Sequence, residues 1–194
     1  MKHGSPPEKK INIVQGEYRV GDDEALVLST VLGSCVAACL HDPQAKVGGM
    51  NHFLLPGDDR NFNPRDADRY GVHLMELLVN GLMQLGARRD RLQAKLFGGA
   101  RVVRGLSDVG RKNGEFAERF LRYEGIAVAS QDLGGEKGRR LQFWPASGRA
   151  LRSFIAATAT INVERVRPPP VASASGEVEL FGDDPPPERV VRRA

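Results

Sequence analysis

The spacing of apolar residues along the chain predicts a succession of strands and helices. Seven segments show the alternation or short apolar runs of strands, at 25–29, 35–40, 47–55, 92–97, 126–130, 141–144 and 149–155. Residues 70–85 have leucines at helical spacing and stop at Gly86, and a second helix around Phe116 and Phe120 stops at Gly125. Strands outnumber helices and several are joined by short turns, so the pattern predicts an α+β fold with mixed or antiparallel β-sheets flanked by helices.

Proline and small polar residues divide the chain into three parts. Residues 1–10 are polar and contain two prolines, which predicts a flexible N-terminal arm. The folded domain is expected to span 11–167, a length that suits one domain. Residues 168–194 contain two runs of three prolines and are predicted to form a low-complexity tail. An apolar stretch at 178–181 is either a docking segment or an incidental part of a solvated tail.

Composition narrows the class of function. The 194 residues carry a formal net charge of +4, and the sequence pI is about 9.3. The arginines are scattered among acids without a basic stripe interleaved with aromatics, so nucleic-acid binding is not favoured, and an acidic protein partner explains the charge as well. No stretch reaches the roughly 18 apolar residues of a membrane span, and the first residues lack the apolar centre of a secretory signal. We therefore expect a cytoplasmic protein without membrane insertion.

The two cysteines, Cys35 and Cys39, lie four positions apart. On a strand they would share a face, but their backbones would be too far apart for an unstrained disulfide. No second pair of Cys or His residues at ligand spacing accompanies them, so a zinc site is not predicted. What remains is a thiol that is either structural or reactive.

The residues around Cys35 supply the elements of an acyl-transfer site. Gly33 and Ser34 lead into Cys35, and the backbone freedom of Gly33 lets nearby N–H groups point at a bound oxygen, as an oxyanion requires. A loop glycine before a buried structural cysteine explains the same pattern. If residues 43 and 44 form the tip of a hairpin, His52 lies directly opposite Cys35, where it can take the thiol proton and lower the thiol pKa. A register shift of one residue would separate the two faces.

Other histidines and glycine pairs are weaker candidates. His3, His41 and His73 are interpreted as surface or packing residues. The glycine pairs at 98–99 and 134–135 lack the lysine of a phosphate-binding loop and are predicted to serve tight turns.

Several motifs occur in an order that is typical of one known family. They include LGSCVA at 32–37, DP at 42–43, GGMNHFLLP at 48–56, AKLFGGA at 94–100, SDVG at 107–110, DLGG at 132–135 and FWPASGR at 143–149. With these motifs the chain resembles the chemoreceptor glutamine deamidases, the CheD family, from about residue 15 to residue 155.

The resemblance implies a function and a set of roles. It implies hydrolysis of glutamine side chains to glutamate in methyl-accepting chemotaxis receptors, without metal or organic cofactor, on a fold related to the catalytic domains of glutamine-deamidating bacterial toxins. The family's nucleophile and base fall on Cys35 and His52. Its third residue, a threonine six positions before the cysteine, falls on Ser29, but a threonine follows at Thr30, so either hydroxyl can be the third group. Backbone N–H groups at Ser34 and Cys35 would stabilise the oxyanion.

The resemblance also bears on partners and alternatives. The receptors are the expected partners, and in some organisms a CheC-type phosphatase binds this family. Two alternatives stay open: a transglutaminase that passes the same thioester to an amine, and a non-catalytic module that regulates a chemotaxis phosphatase or a receptor.

Overall fold

Nine strands and two α-helices form in the part of the chain that the structure describes. The structure is a computed structural model that describes residues 8–55, 64–101 and 109–155, except for the side chains of 64–67, and all of these lie within the unit Met1–Thr160. In chain order the elements are β1 (Lys9–Asn12), β2 (Tyr18–Gly21), β3 (Leu26–Leu32), β4 (Val36–Asp42), β5 (Val47–Asn51), α1 (Pro64–Gln84), β6 (Gln93–Gly98), α2 (Val109–Tyr123), β7 (Ala127–Leu133), β8 (Arg139–Trp144) and β9 (Arg149–Phe154), with a 3₁₀ turn at Arg89–Arg91 before β6.

The strands form two mixed sheets. Sheet A has the strand order β1-β3-β8-β9, and sheet B has the order β2-β5-β4-β6-β7. The pairs β1–β3 and β6–β7 are parallel, and the other neighbouring pairs are antiparallel. The predicted hairpin near the end of the domain is the β8–β9 pair, in which Trp144 faces Arg149. The predicted α+β class with mixed sheets is confirmed.

One apolar core lies between the two sheets. Sheet A contributes buried side chains from β3 and β8, and sheet B contributes buried side chains from β4, β5 and β6, among them Leu28, Leu32, Phe143, Ala37, Cys39, Met50 and Phe97. Because side chains alternate along a strand, Thr30, between Leu28 and Leu32, also points into this layer. Cys35, two positions before Ala37, and His52, two positions after Met50, continue the same face of sheet B.

A second core lies between the other face of sheet B and the helices. It joins residues of β4 and β6 to apolar faces of α1 and α2, including Val36, Leu40, Leu96, Leu74, Leu78, Leu82, Phe116 and Phe120. The predicted first helix is confirmed and begins earlier, at Pro64. Gly86 ends it with a φ of 92°, a conformation that favours glycine, and the N–H of Ala87 bonds to the Leu82 carbonyl at 3.1 Å. No helix in the described ranges has the length and apolar composition to cross a membrane.

The structure differs from the predicted elements at the edges of the sheets. β1 begins at Lys9, so the last two residues of the predicted arm belong to sheet A. β2 was not predicted, because its four residues are partly exposed and too few to show a period. The predicted strand 47–55 ends at Asn51. The rest of the arm up to residue 7, the segment 102–108 and the tail 168–194 lie outside the described residues.

Candidate active site

Cys35 and His52 lie beside one antiparallel bridge at the end of sheet B. Val36 and Phe53 exchange two backbone hydrogen bonds of 2.9 Å. Cys35 precedes Val36 and His52 precedes Phe53, so both side chains point to the inter-sheet face, opposite to Val36 and Phe53. Since the two segments run in opposite directions, Cys35 and His52 are diagonal neighbours across the pair and not directly opposed.

The predicted register of the β4–β5 hairpin is wrong by two residues. Asp42 pairs with Val47, so the turn contains four residues instead of two. Asp42 Oδ1 accepts hydrogen bonds from two N–H groups of the turn, at 2.9 and 3.1 Å, and Lys46 adopts a φ of 54°. This longer turn removes the direct opposition of Cys35 and His52 but keeps them on one face, because a shift of two residues preserves the alternation of a strand.

The hydroxyl that contacts His52 belongs to Thr30. Thr30 Oγ1 lies 2.8 Å from His52 Nδ1 and donates its proton to the carbonyl oxygen of Ile13 at 2.7 Å. Because the single hydroxyl proton is used there, Nδ1 carries the imidazole proton and donates it to Oγ1. Nε2 is then the unprotonated nitrogen, which can accept a proton. Ser29 is the residue before Thr30 on β3, and its side chain points to the opposite face of sheet A.

His52 is buried and held in place by its backbone. Its N–H donates to the Glu17 carbonyl at 3.0 Å, and its carbonyl accepts the N–H of Gly16 at 2.8 Å. The residue is only 6% exposed, and this burial lowers the pKa of the imidazole below its ordinary value despite the opposing effects of the Ile13 carbonyl and the Glu17 carboxylate. The imidazole is therefore neutral at pH 7. Its Nε2 is buried without a hydrogen-bond partner among the described residues.

Cys35 lies on a loop whose backbone is fixed by three hydrogen bonds. Three consecutive carbonyl oxygens, those of residues 33, 34 and 35, accept hydrogen bonds from the Ala100 N–H at 2.7 Å, from Asn113 Nδ2 at 2.9 Å and from the Gly99 N–H at 2.7 Å. Each donor comes from the segment after β6 or from α2. The position of the thiol is therefore set by the sheet B side of the fold.

The thiol of Cys35 is protonated in the resting protein. Burial raises its pKa to about 11, although the N–H groups of Cys35 itself and of Gly33 act in the opposite direction. The prediction that His52 lowers this pKa is therefore wrong for the resting state, because a thiolate here would be a desolvated charge beside a neutral imidazole. The N–H groups that favour the thiolate are those of Gly33 and Cys35.

Three further residues at the site were missed by sequence reasoning. The thiol of Cys35 donates to Gln15 Oε1 at 3.8 Å. Burial raises the pKa of the phenol of Tyr70 on α1, and the nearby Cys35 adds to this effect. Asn113 on α2 is fully buried and bonds to the Ser34 carbonyl. Its signal in the sequence is a polar residue three positions before Phe116, on an otherwise apolar helix face.

The other sequence candidates lie apart from this site. His41 Nε2 lies 3.2 Å from the Ala146 carbonyl, and His73 lies on α1. His3 lies outside the described residues. Gly98 and Gly99 have φ values of 116° and 65°, as tight turns require. Cys39 is buried in the inter-sheet core, and burial raises the pKa of its thiol.

Two cavities of the described surface are lined by residues other than the thiol and the imidazole. An open cleft of about 440 Å³ is lined by residues of α2 and by Leu133, Gly134 and Gly135, and a cavity of about 190 Å³ is lined by Cys39, Lys95 and their neighbours. Neither of these two cavities is lined by Cys35 or His52. Within the described ranges no three His, Cys, Asp or Glu side chains cluster as metal ligands would.

The chain is similar to known proteins over most of its length. "Probable chemoreceptor glutamine deamidase CheD" of Caulobacter vibrioides is 53% identical over 183 residues, covering 92% of this chain and 98% of the relative. The protein with the same name in Acidiphilium cryptum is 56% identical over 181 residues, covering 89% of this chain and 94% of the relative.

The chain is also similar to a solved structure and to a family model. The crystal structure of Bacillus licheniformis hypothetical protein YfiH is 10% identical, with a TM-score of 0.41 over 69% of this chain and 61% of that chain, a likeness too weak to support any conclusion. The family model described as CheD chemotactic sensory transduction matches residues 54–153. By this match and by its relatives, the chain belongs to the CheD family.

Proposed function

We propose that the protein hydrolyses the side-chain amide of glutamines in methyl-accepting chemotaxis receptors, with Cys35 as nucleophile and His52 as base. The observation that carries the proposal is the buried imidazole of His52, whose Nδ1 donates to Thr30 and whose Nε2 is unprotonated, on the face shared with Cys35. Relatives more than half identical bear the name of this activity. The reaction is that of a protein-glutamine glutaminase and takes place in the cytoplasm, where the helical bundle of the receptor lies.

The first half of the reaction releases ammonia. Sγ of Cys35 attacks the amide carbon while His52 Nε2 takes the thiol proton, and the carbonyl electrons move to oxygen to form a tetrahedral oxyanion. The N–H groups of Gly33 and Cys35 stabilise this charge. The protonated imidazole then gives its proton to the amide nitrogen, the carbon–nitrogen bond breaks, and a thioester remains.

The second half releases glutamate. His52 Nε2 takes a proton from water as the water oxygen attacks the thioester, and collapse of the second tetrahedral intermediate breaks the carbon–sulfur bond. Sγ regains its proton from the imidazole. Throughout both halves Thr30 Oγ1 accepts a hydrogen bond from the Nδ1–H group, which keeps the ring in one orientation and in the tautomer that the base requires.

Cys35 and His52 are both neutral in the resting protein, so the nucleophile is activated only when a substrate is bound. With its pKa raised to about 11, the thiol is protonated at pH 7. Proton transfer to His52 is then favourable only when the attack moves the negative charge onto the carbonyl oxygen, where N–H donors meet it. The resting thiol is consequently a poor target for unrelated electrophiles.

The test is a mass analysis of a receptor cytoplasmic fragment incubated with the protein. Wild type is expected to raise the fragment mass by about one unit per modified glutamine, whereas Cys35→Ala leaves the mass unchanged. Cys39→Ala is the matched control, since Cys39 is the other free cysteine and is buried in the core away from His52. The thermal midpoint of each variant confirms that it is folded.

The same experiment separates the alternatives. Mass transfer from an added primary amine would identify a transglutaminase, because the amine instead of water takes the thioester. Unmodified receptor with a folded wild type would contradict the proposal and favour the regulatory module. Deamidation that persists in Cys35→Ala would contradict the nucleophile.

A CheC-type phosphatase is a further proposed partner. Calorimetric titration of the full chain with such a phosphatase checks this directly. A stoichiometric complex is the expected result, and the absence of heat at micromolar concentrations of both proteins would remove the partner from the proposal.

A further inference from the structure

The turn between β1 and β2 stands over the candidate active site. The N–H of Glu17 bonds to the Val14 carbonyl at 3.1 Å, and Gly16 has a φ of 88°, which is the geometry of a type II turn with glycine in its third position. The Glu17 carboxylate accepts the N–H of Val14 at 3.1 Å. Gly16 and Glu17 also bond to the backbone of His52. The turn is therefore held rigidly against the base.

Gln15 is the second residue of this turn. Among the described residues, its side chain is the one that forms a hydrogen bond with the thiol. Cys35 Sγ donates to Gln15 Oε1 at 3.8 Å. Gln15 is exposed, so its terminal amide group is free to rotate. Cys35 is only partly buried, and Gln15 contacts its thiol from the turn between β1 and β2.

We infer that the Gln15 side-chain amide is an oxyanion donor: its Nε2–H₂ group donates a hydrogen bond to the tetrahedral oxyanion formed on Cys35. The inference rests on the proposed function, since it needs Cys35 to attack a carboxamide. The oxyanion forms two bonds away from Sγ. A side-chain amide that already contacts Sγ is therefore within reach of the oxyanion after a small adjustment of its own torsions.

The change in charge during the reaction explains why a different end of the amide would face the site. In the resting state the thiol is a donor, and the amide presents its oxygen. Once the thiol proton has passed to His52, the site holds a negative charge and no donor from the sulfur. The amide then presents its NH₂ group by rotation about its last torsion, which is broad in glutamine and unhindered on an exposed side chain.

The environment of the Cys35 thiol favours an additional hydrogen-bond donor to the oxyanion. Burial disfavours a negative charge at the thiol, although the N–H groups of Gly33 and Cys35 act in the opposite direction. The turn fixes the backbone of Gln15 beside the thiol, because its neighbours on both sides are hydrogen-bonded, while the amide group itself can rotate. A donor tethered next to the reacting atoms stabilises the developing charge.

The test compares Gln15→Ala and Gln15→Glu with wild type in the receptor-fragment assay. Loss of one oxyanion donor is expected to lower kcat about 100-fold in Gln15→Ala while KM changes by no more than about threefold. Gln15→Glu has the same shape but cannot donate and adds a negative charge, so its kcat is expected to be lower still. Gln44→Ala, at an exposed glutamine in the β4–β5 turn, is the matched control and is expected to behave as wild type.

A second measurement separates an oxyanion donor from a structural residue. Alkylation of Cys35 by iodoacetamide forms no oxyanion, so Gln15→Ala is expected to react at least as fast as wild type with an unchanged thermal midpoint. Unchanged kcat in Gln15→Ala would overturn the inference, as would a rise in kcat/KM, which would make Gln15 a gate over the thiol. Slower alkylation in parallel with slower deamidation would also overturn it. If wild type itself does not deamidate the receptor, the proposed function fails first, and the Gln15 variants are not the cause.

Discussion

Replacing Thr30 by valine tests the role of the hydroxyl that contacts His52. Valine keeps the shape of threonine but removes the donor to the Ile13 carbonyl at 2.7 Å and the acceptor for Nδ1 at 2.8 Å. Leaving a buried polar group without its partner costs about 1–3 kcal/mol. Here Nδ1 already lies 3.4 Å from the Ile13 carbonyl and can donate to it instead, so we expect a loss of about 2 kcal/mol in the free energy of unfolding.

The same change is expected to reduce activity. Without Thr30 the imidazole of His52 turns toward Ile13, and the geometry of Nε2 relative to Cys35 is lost. We expect kcat/KM to fall about 10- to 100-fold, which corresponds to about 1.4–2.7 kcal/mol of transition-state stabilisation. The measurements are ammonia release from the receptor fragment and urea denaturation. Thr30→Ser, which keeps the hydroxyl, is expected to stay within a few-fold of wild type.

Ser29 provides the control that can refute this reasoning. Ser29→Ala is expected to leave kcat/KM unchanged, because the serine points to the other face of β3. Adding Ser29→Thr to the Thr30→Val protein is expected to give no rescue. Three results would contradict this reasoning: full activity in Thr30→Val, a large loss in Ser29→Ala, or rescue by the added threonine. Each would show that the third hydroxyl is defined by its distance from the cysteine along the chain and not by the face of β3 on which it lies.

The described contacts lead to four other predictions. Alkylation of Cys35 by iodoacetamide is expected to accelerate with pH up to about pH 11, because burial raises the thiol pKa, and a plateau by pH 8 would show a thiolate paired with His52. Asp42→Asn is expected to lower the free energy of unfolding by about 3 kcal/mol in urea denaturation, since the buried carboxylate loses its ion pair with Arg91. Wild type should also lose stability as the pH falls from about 4 toward 2, because Asp42 is buried yet its hydrogen bonds hold its pKa at about 2, below the ordinary value of 3.8, and an unchanged urea midpoint over this range would refute the assignment. Gly98→Ala is expected to abolish deamidation, because its Cβ would collide with the Cys35 carbonyl at a φ of 116°, whereas Gly125→Ala, with a φ of 68° and open space around it, should destabilise the protein but keep its activity.

The parts of the fold that could be predicted are those whose stability is visible locally. The β8–β9 hairpin was predicted with its turn, because alternating apolar residues flank a short Gly-containing connection. The apolar face of α1 was predicted because its leucines repeat at helical spacing. β1 and β2 could not be predicted, since each has four residues and is held by a partner strand far along the chain, β3 and β5 respectively. Short edge strands carry their signal in the partner and not in their own sequence.

The candidate site shows which spatial relations between residues can be inferred by counting along the sequence. Cys35 and His52 share a face even though the predicted register was wrong by two residues, because faces repeat every second residue and the longer turn adds an even number. The third hydroxyl could not be assigned by counting back from Cys35. The bend at residues 33 and 34 lies between β3 and the thiol, and it breaks the alternation that a count assumes. The two hydroxyls are distinguished by the face of β3 on which each lies and by the contact between Thr30 and His52, which lies just beyond β5 of the other sheet. For the same reason Gln15, on a turn between the two sheets' first strands, has no signal that points to the thiol until the chain is folded.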